Sequence, residues 1–162
     1  MTPKDPYVVQ RCAEIESNLV DAHNWSATDA KLGAYLAGYV TVLISGVVED
    51  CVEYLVKQRA GRSNDPELTE LVSQLLAESF RNPRSNYIAG LLRRFSLEYE
   101  ERYQALVPLS SREALGSIIA NRLSLTHTGT WRQPTTIADV QSYFGRIVPI
   151  LAVVEEILLP PE

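Results

Sequence analysis

A stripe of apolar residues at helical spacing runs through residues 31–60 and constrains the fold more than any other feature of the chain. Its members recur every three to four positions: Leu32, Leu36, Tyr39, Leu43, Val47, Cys51, Tyr54 and Leu55. This spacing predicts one long helix with a continuous buried face. Gly33, Gly38 and Gly46 lie in the same segment, and we expect these small residues to admit a closely packed neighbouring helix.

The apolar part of this segment, residues 32–48, is interrupted by glycine, threonine and serine, and it continues into an acidic amphipathic stretch. We therefore interpret it as a buried helix of a globular protein, because a membrane span needs a less interrupted apolar run. The sequence predicts no membrane role.

Six other segments have helical periodicity, and none alternates with the period of a β-strand. Helices are predicted at about residues 7–24, 31–60, 66–80, 88–95, 97–105, 110–127 and 136–159. The predicted N-cap residues are Ser26 or Thr28, Asp65, Ser110 and Thr136, the last two in capping boxes with Glu113 and Asp139. Asn82 precedes Pro83 in the break after the third helix, where it is expected to form a turn and bond nearby backbone. Pro149 is expected to kink the last helix. The fold class is all-α.

The composition is that of one globular domain over residues 1–162, with 46% hydrophobic and 22% charged residues. Cys12 and Cys51 have neither a metal-ligand spacing nor the density of a disulfide scaffold, and the first residues do not form a signal peptide. These features predict a cytoplasmic protein without a bound metal.

Charge is distributed unevenly along the chain. Residues 81–146 carry nine arginines and five acidic residues, a net charge of +4. Because the whole chain has a net charge of −5, the residues outside this segment carry −9. Arginine outnumbers lysine twelve to three, and its planar guanidinium suits phosphate oxygens well. This distribution indicates an anionic ligand, although a solvated charged face also explains any single arginine.

Residues 121–129 place polar, chemically competent side chains beside a helix end. Arg122 and His127 stand five positions apart, and Gly129 lies where a left-handed residue would close the helix. On a regular helix that spacing separates two side chains by about 140°, so the pair does not share one face. Either the helix frays before His127, or the pair acts across a dimer axis. The structural alternative is a surface anion site or a helix C-terminal cap, because a cationic histidine there interacts favourably with the helix dipole.

Three stretches of this chain together resemble the HEPN superfamily of small helical domains, and most closely its RiboL-PSP-HEPN branch. They are residues 47–55 of the long helix, the run Phe80-Arg81-Asn82-Pro83 with the following residues 86–95, and the Arg122-x4-His127 pair followed by Gly129 and the last helix. The resemblance covers roughly residues 30–158. It implies an up-and-down helical bundle with two long helices and several shorter ones, which commonly dimerises so that the Arg and His of both protomers meet in a cleft.

The resemblance also implies an activity. Many members are metal-independent endoribonucleases of toxin–antitoxin, phage-defence or RNA-processing systems, whereas others are inactive adaptor domains. It implies Arg122 and His127 as catalytic residues, RNA as substrate, no cofactor, and an antitoxin or a nucleotidyltransferase as regulating partner. Members often have a polar residue directly after the arginine, where this chain has Leu123.

Other residues are candidates for roles around this pair. Supporting roles are predicted for Asn121, Ser124 and Thr126, and for Glu49 and Asp50, whose carboxylates would orient Arg122 or His127 unless they belong to a solvated acidic face. RNA-backbone contacts are predicted for Arg81, Arg84, Arg93, Arg94 and Arg132. Trp131 is a candidate for stacking on a base, with a core or interface anchor as the alternative.

Overall fold

The long apolar helix is the element around which the other helices assemble. The computed structural model describes residues 1–132 and 134–160, and within them it contains seven α-helices and no strand. They are α1 Pro6–Ser26, α2 Ala30–Gly61, α3 Pro66–Ser79, α4 Ser85–Arg93, α5 Leu97–Leu106, α6 Leu109–Thr128 and α7 Ile137–Leu158. The predicted all-α class is confirmed for these residues. Residues 133, 161 and 162 of the predicted domain lie outside the described part.

The core forms where four helices of twenty or more residues meet. α2 packs against α1, α6, α7 and α3, while α6 and α7 also pack on each other. The shorter α4 and α5 pair with one another, and they contact α6 and α7 respectively. Buried Val, Ile and Leu side chains of α2, α6 and α7 fill the centre.

Two glycines of α2 allow the close approach expected from the sequence. A Cβ atom on Gly33 would lie 2.9 Å from the Cβ of Ser26, near the end of α1. One on Gly38 would lie 3.6 Å from Cδ1 of Leu125 and 3.7 Å from Cζ2 of Trp131. Gly46 is exposed and has no neighbour within 4 Å, so close packing does not explain it.

Two of the four predicted helix N-caps are confirmed and two are wrong. Asp65 caps α3 through the N–H groups of Glu67 and Leu68, and Thr136 forms the predicted capping box with Asp139. Asp29, not Ser26 or Thr28, caps α2: its carboxylate accepts hydrogen bonds from the N–H groups of residues 31 and 32, whereas those two hydroxyls donate to carbonyls of α1.

The predicted Ser110 cap of α6 is also wrong. Pro108 occupies the N-cap position in an extended conformation, and α6 begins at Leu109 with no side-chain cap. Ser110 therefore lies inside the first turn, two positions after the N-cap, where its hydroxyl cannot take the N-cap role.

Two helices are long and apolar enough to cross a membrane by length and composition, namely α2 and α7. In the bundle, 44% and 50% of their most apolar windows are buried against other helices. The stripe predicted from the sequence is only partly in the core. Val47, Cys51 and Leu55 are buried and Leu36, Leu43 and Tyr54 are partly buried, whereas the prediction is wrong for Leu32 and Tyr39, which are exposed.

Candidate active site

The Arg122 and His127 pair lies on an unbroken helix. α6 continues to Thr128 and closes at Gly129, which has a left-handed φ of 67° and donates its N–H to the carbonyl of Leu125 at 3.1 Å. Fraying before His127 is thereby ruled out as the way to align the pair. On a regular helix the two side chains leave α6 about 140° apart.

Arg122 is held by a residue that precedes it by forty positions. Its guanidinium Nη1 donates a hydrogen bond to Oδ1 of Asn82, in the loop between α3 and α4. The backbone N–H of Asn82 donates in turn to Oε2 of Glu49 on α2, at 3.2 Å. All three residues are partly buried. We call this chain of contacts, Glu49 to Asn82 to Arg122, the arginine anchor.

The backbone of Asn82 explains why the anchor contains an asparagine. Asn82 has a φ of 57°, a left-handed conformation that asparagine adopts more readily than most residues. Pro83 disfavours the helical conformation before it, and the buried side chains of Phe80 and Pro83 fix the loop on the core. The carbonyl of Asn82 accepts the N–H of Arg84 at 2.7 Å, as expected of a turn residue.

Glu49 and Asp50 have different partners although they are neighbours. Successive helical residues point about 100° apart. Asp50 accepts hydrogen bonds from the Tyr7 hydroxyl at 2.6 Å and from Nε of Arg11 at 3.0 Å, both on α1. The bond to Asp50, aided by burial, raises the pKa of Tyr7 to about 12. Asp50 therefore fastens α1 to α2, and of these two acidic residues only Glu49 belongs to the arginine anchor.

The residues of α6 predicted to support the pair, Asn121, Ser124 and Thr126, mostly form hydrogen bonds that stabilise the fold. Asn121 is buried, and its Nδ2 donates to Oγ1 of Thr135 at 3.0 Å, which ties α6 to the segment before α7. The Thr126 hydroxyl donates back to the carbonyl of Arg122 at 2.9 Å. The carbonyl of Ser124 accepts the Thr128 hydroxyl at 2.8 Å, and the Ser124 side chain is partly buried. Asn121 therefore joins α6 to the segment before α7, and Thr126 bonds within the last turns of α6.

An aromatic groove lies beside the end of α6. It has a volume of about 550 Å³ and is lined by residues of α2 together with Leu125, Thr126, Gly129 and Trp131. Trp131 packs on Gly38, whereas Tyr35 and Tyr39 are 66% and 56% exposed. The sequence alone did not identify these two tyrosines as groove residues. Helical spacing placed Tyr39 in the buried stripe, and Tyr35 was not singled out. Their four-residue spacing, which places both on one face of α2, was the available signal.

The predicted RNA-binding arginines divide into two groups. Arg81 and Arg84 are exposed on either side of Asn82, and Arg132 is exposed next to Trp131. Arg93 and Arg94 lie at the opposite end of α4, where Arg93 forms an ion pair with Glu100 at 3.2 Å. Only the first group lies within a few residues of the arginine anchor or of the end of α6 along the chain.

Within the described residues, no three His, Cys, Asp or Glu side chains come together in a way that could hold a metal ion. Both cysteines are buried free thiols. The groups available for chemistry at this end of the bundle are a held guanidinium, an exposed imidazole and exposed aromatic and basic side chains. No protein-family model, no curated protein and no solved structure matches this chain.

Proposed function

We propose that this protein is an endoribonuclease of the HEPN type, with an up-and-down helical bundle, in which Arg122 and His127 are the catalytic residues. The observation that carries the proposal is the arginine anchor. Holding a guanidinium by one donor while its other donors remain available is a way to prepare it for a phosphate. The resemblance in the three stretches around Glu49, Asn82 and the Arg122 pair supports the same assignment.

The proposed reaction is attack of an RNA 2′-hydroxyl on the adjacent phosphorus. His127 removes the proton from the 2′-hydroxyl, or protonates the departing 5′-oxygen, since histidine side chains exchange protons near neutral pH. Arg122 binds the phosphate oxygens, where negative charge increases in the transition state. The new bond joins the 2′-oxygen to phosphorus, the bond to the 5′-oxygen breaks, and the products are a 2′,3′-cyclic phosphate and a 5′-hydroxyl.

The proposed active unit is a homodimer. Because α6 remains helical through His127, the imidazole and the guanidinium of one protomer diverge. A two-fold axis near the end of α6 would let Arg122 of one protomer face His127 of the other.

The proposed RNA path follows the same surface. Tyr35, Tyr39 and Trp131 offer stacking faces for bases, and Arg81, Arg84 and Arg132 offer charges for the backbone.

The test is RNA cleavage in excess EDTA by wild type, Arg122→Ala and His127→Ala, with any co-purifying protein removed. Wild type is expected to cut RNA and leave cyclic phosphate ends, and each variant to be slower by roughly 100-fold or more. Arg146→Ala is the matched control, because Arg146 is an exposed arginine whose contacts are with Ser142 and Tyr143 on α7. RNA left equally intact by all four proteins would overturn the ribonuclease proposal.

One observation favours a second candidate, an inactive HEPN-like adaptor. Leu123 packs against the core directly after Arg122, where many members of that family have a polar residue. An adaptor would leave the RNA intact in the assay above while binding a protein regulator, such as an antitoxin or a nucleotidyltransferase. Cleavage that depends on both Arg122 and His127 decides between the two.

A further inference from the structure

A second groove opens between the end of α2, α3 and the end of α4, and its lining contains no residue of the arginine anchor or the aromatic groove. We call it the α3 groove; its volume is about 490 Å³. Its floor is formed by Val56, Ala60 and Leu76, all at most 4% exposed. Apolar side chains continue from this floor onto the surface.

The exposed apolar side chains of the groove form a helical stripe. Leu68, Leu71 and Leu75 of α3 are 41%, 53% and 41% exposed, and Phe95 opposite them is 37% exposed. The three leucines occupy positions i, i+3 and i+7 of one helix. Stripes with this spacing are the surfaces on which a second amphipathic helix packs.

The charged rim of the groove has one sign. Arg59, Arg62 and Arg94 line it, and no acidic side chain does. Arg59 donates to the Tyr99 hydroxyl at 3.2 Å. In the part of the chain that the structure describes, Arg62 and Arg94 have neither a hydrogen bond nor an ion pair through their side chains. The rim is therefore basic on a protein whose net charge is −5.

We propose that the α3 groove binds an acidic amphipathic helix of a partner protein. The apolar face of that helix would cover the leucine stripe and Phe95, and its carboxylates would pair with Arg62 and Arg94. Charge complementarity selects this occupant over a neutral or basic helix, since unpaired rim cations favour an acidic ligand and oppose a basic one. The proposal does not depend on the ribonuclease proposal, because none of these residues belongs to the arginine anchor or the aromatic groove.

The probe is a fluorescent synthetic helix of about 18 residues, long enough to show helicity, with leucines at i, i+3, i+4 and i+7 flanked by glutamates. A second peptide has lysine at every glutamate position. Anisotropy titrations without RNA are expected to show the glutamate peptide binding at least about tenfold more tightly than the lysine peptide. Equal binding of both peptides, or binding of neither, would overturn the proposal.

Charge reversal in the protein gives a second, independent readout. The double variant Arg62→Glu with Arg94→Glu should weaken the glutamate peptide by at least about tenfold and strengthen the lysine peptide. Its matched control is Lys4→Glu with Arg146→Glu, which changes the net charge equally at exposed sites outside the groove. If the control produces the same change, general charge and not the groove controls binding.

Sedimentation of the same variants separates a partner protein from a second copy of this chain. α3 itself carries Glu67 and Glu70 near the leucine stripe, so a second copy is the main competing occupant. If reversing Arg62 and Arg94 dissociates a wild-type oligomer, the groove is a self-association surface and the proposed partner is wrong. An unchanged sedimentation coefficient, together with the peptide preference, supports the partner helix.

Discussion

The guanidinium of Arg122 on α6 donates to the side-chain oxygen of Asn82, and the backbone of Asn82 is itself held by Glu49 on α2. This relationship joins the three stretches on which the family resemblance rests. It also explains why a left-handed asparagine occurs in a loop that would otherwise only connect α3 to α4.

We expect Asn82→Gly to slow RNA cleavage by roughly tenfold, through the loss of one hydrogen bond to a charged group. Glycine accommodates the positive φ of Asn82, so the loop and its N–H bond to Glu49 remain. Asn82→Asp retains an acceptor for Arg122 and should keep most of the activity. Steady-state cleavage of a defined RNA, with kcat and KM determined separately, makes the measurement. Wild-type kinetics for the glycine variant, beside an inactive Arg122→Ala, would contradict a positioning role for Asn82.

The proposed dimer, with a cleft shared between protomers, predicts complementation between two inactive variants. Mixing Arg122→Ala with His127→Ala forms heterodimers in which one cleft has both an intact arginine and an intact histidine, contributed by different protomers. Freely exchanging protomers should then recover about a quarter of the wild-type activity. The control is the double variant Arg122→Ala with His127→Ala, mixed with either single variant in the same amounts as in the test mixture. It should recover no activity. A mixture as inactive as its components would show that the pair acts within one protomer or not at all.

Sequence patterns within single helices predicted much of the fold. Contacts between elements distant in sequence determined the features of the site that these patterns missed. Seven helical segments and the caps at Asp65 and Thr136 follow from periodicity and side chains that act within one turn. The contact between Asn82 and Arg122 depends on how α6 settles against the α3–α4 loop, which no local pattern records. The sequence predicts that the Asp50 carboxylate orients Arg122 or His127, but the turn of the helix directs it to Tyr7 and Arg11 on α1.

The two predicted capping boxes, one confirmed and one wrong, provide a matched pair for stability. Thr136→Ala removes a hydroxyl that accepts the Asp139 N–H at 3.2 Å and donates to its carboxylate at 2.7 Å, and it should cost about 1 kcal/mol. Ser110→Ala lies on the surface of the first turn of α6, where no side chain caps the helix, and should change stability by less than about 0.5 kcal/mol. Urea unfolding followed by circular dichroism compares them. Equal losses would mean that the ends of α6 and α7 are capped alike.

The buried cysteines predict a loss of stability at high pH. Burial is the main cause that raises the thiol pKa from 9.0 to about 11 for Cys12 and to about 12 for Cys51. The unfolded chain therefore releases these protons first, so their contribution is complete below pH 9 and falls as the pH rises through 11 and 12. Unfolding free energies at pH 8 and pH 10.5 should differ more for wild type than for Cys12→Ala with Cys51→Ala. Rapid labelling of the folded protein by a thiol reagent at pH 8 would contradict this picture.

The buried hydroxyl of Thr41, on α2, is a site where we expect a substitution to stabilise the protein. Its hydroxyl is fully buried and has no hydrogen-bond partner among the described residues. Valine has nearly the same shape without the polar atom, so Thr41→Val should raise the free energy of unfolding by about 1 kcal/mol. Thr135→Val is the control, because the Thr135 hydroxyl accepts the Asn121 amide at 3.0 Å and its loss leaves a buried donor without that acceptor. We expect this control to lose about 1 to 3 kcal/mol in the same urea titration. A loss of stability in Thr41→Val comparable to that of the control would mean that the Thr41 hydroxyl is bonded in solution.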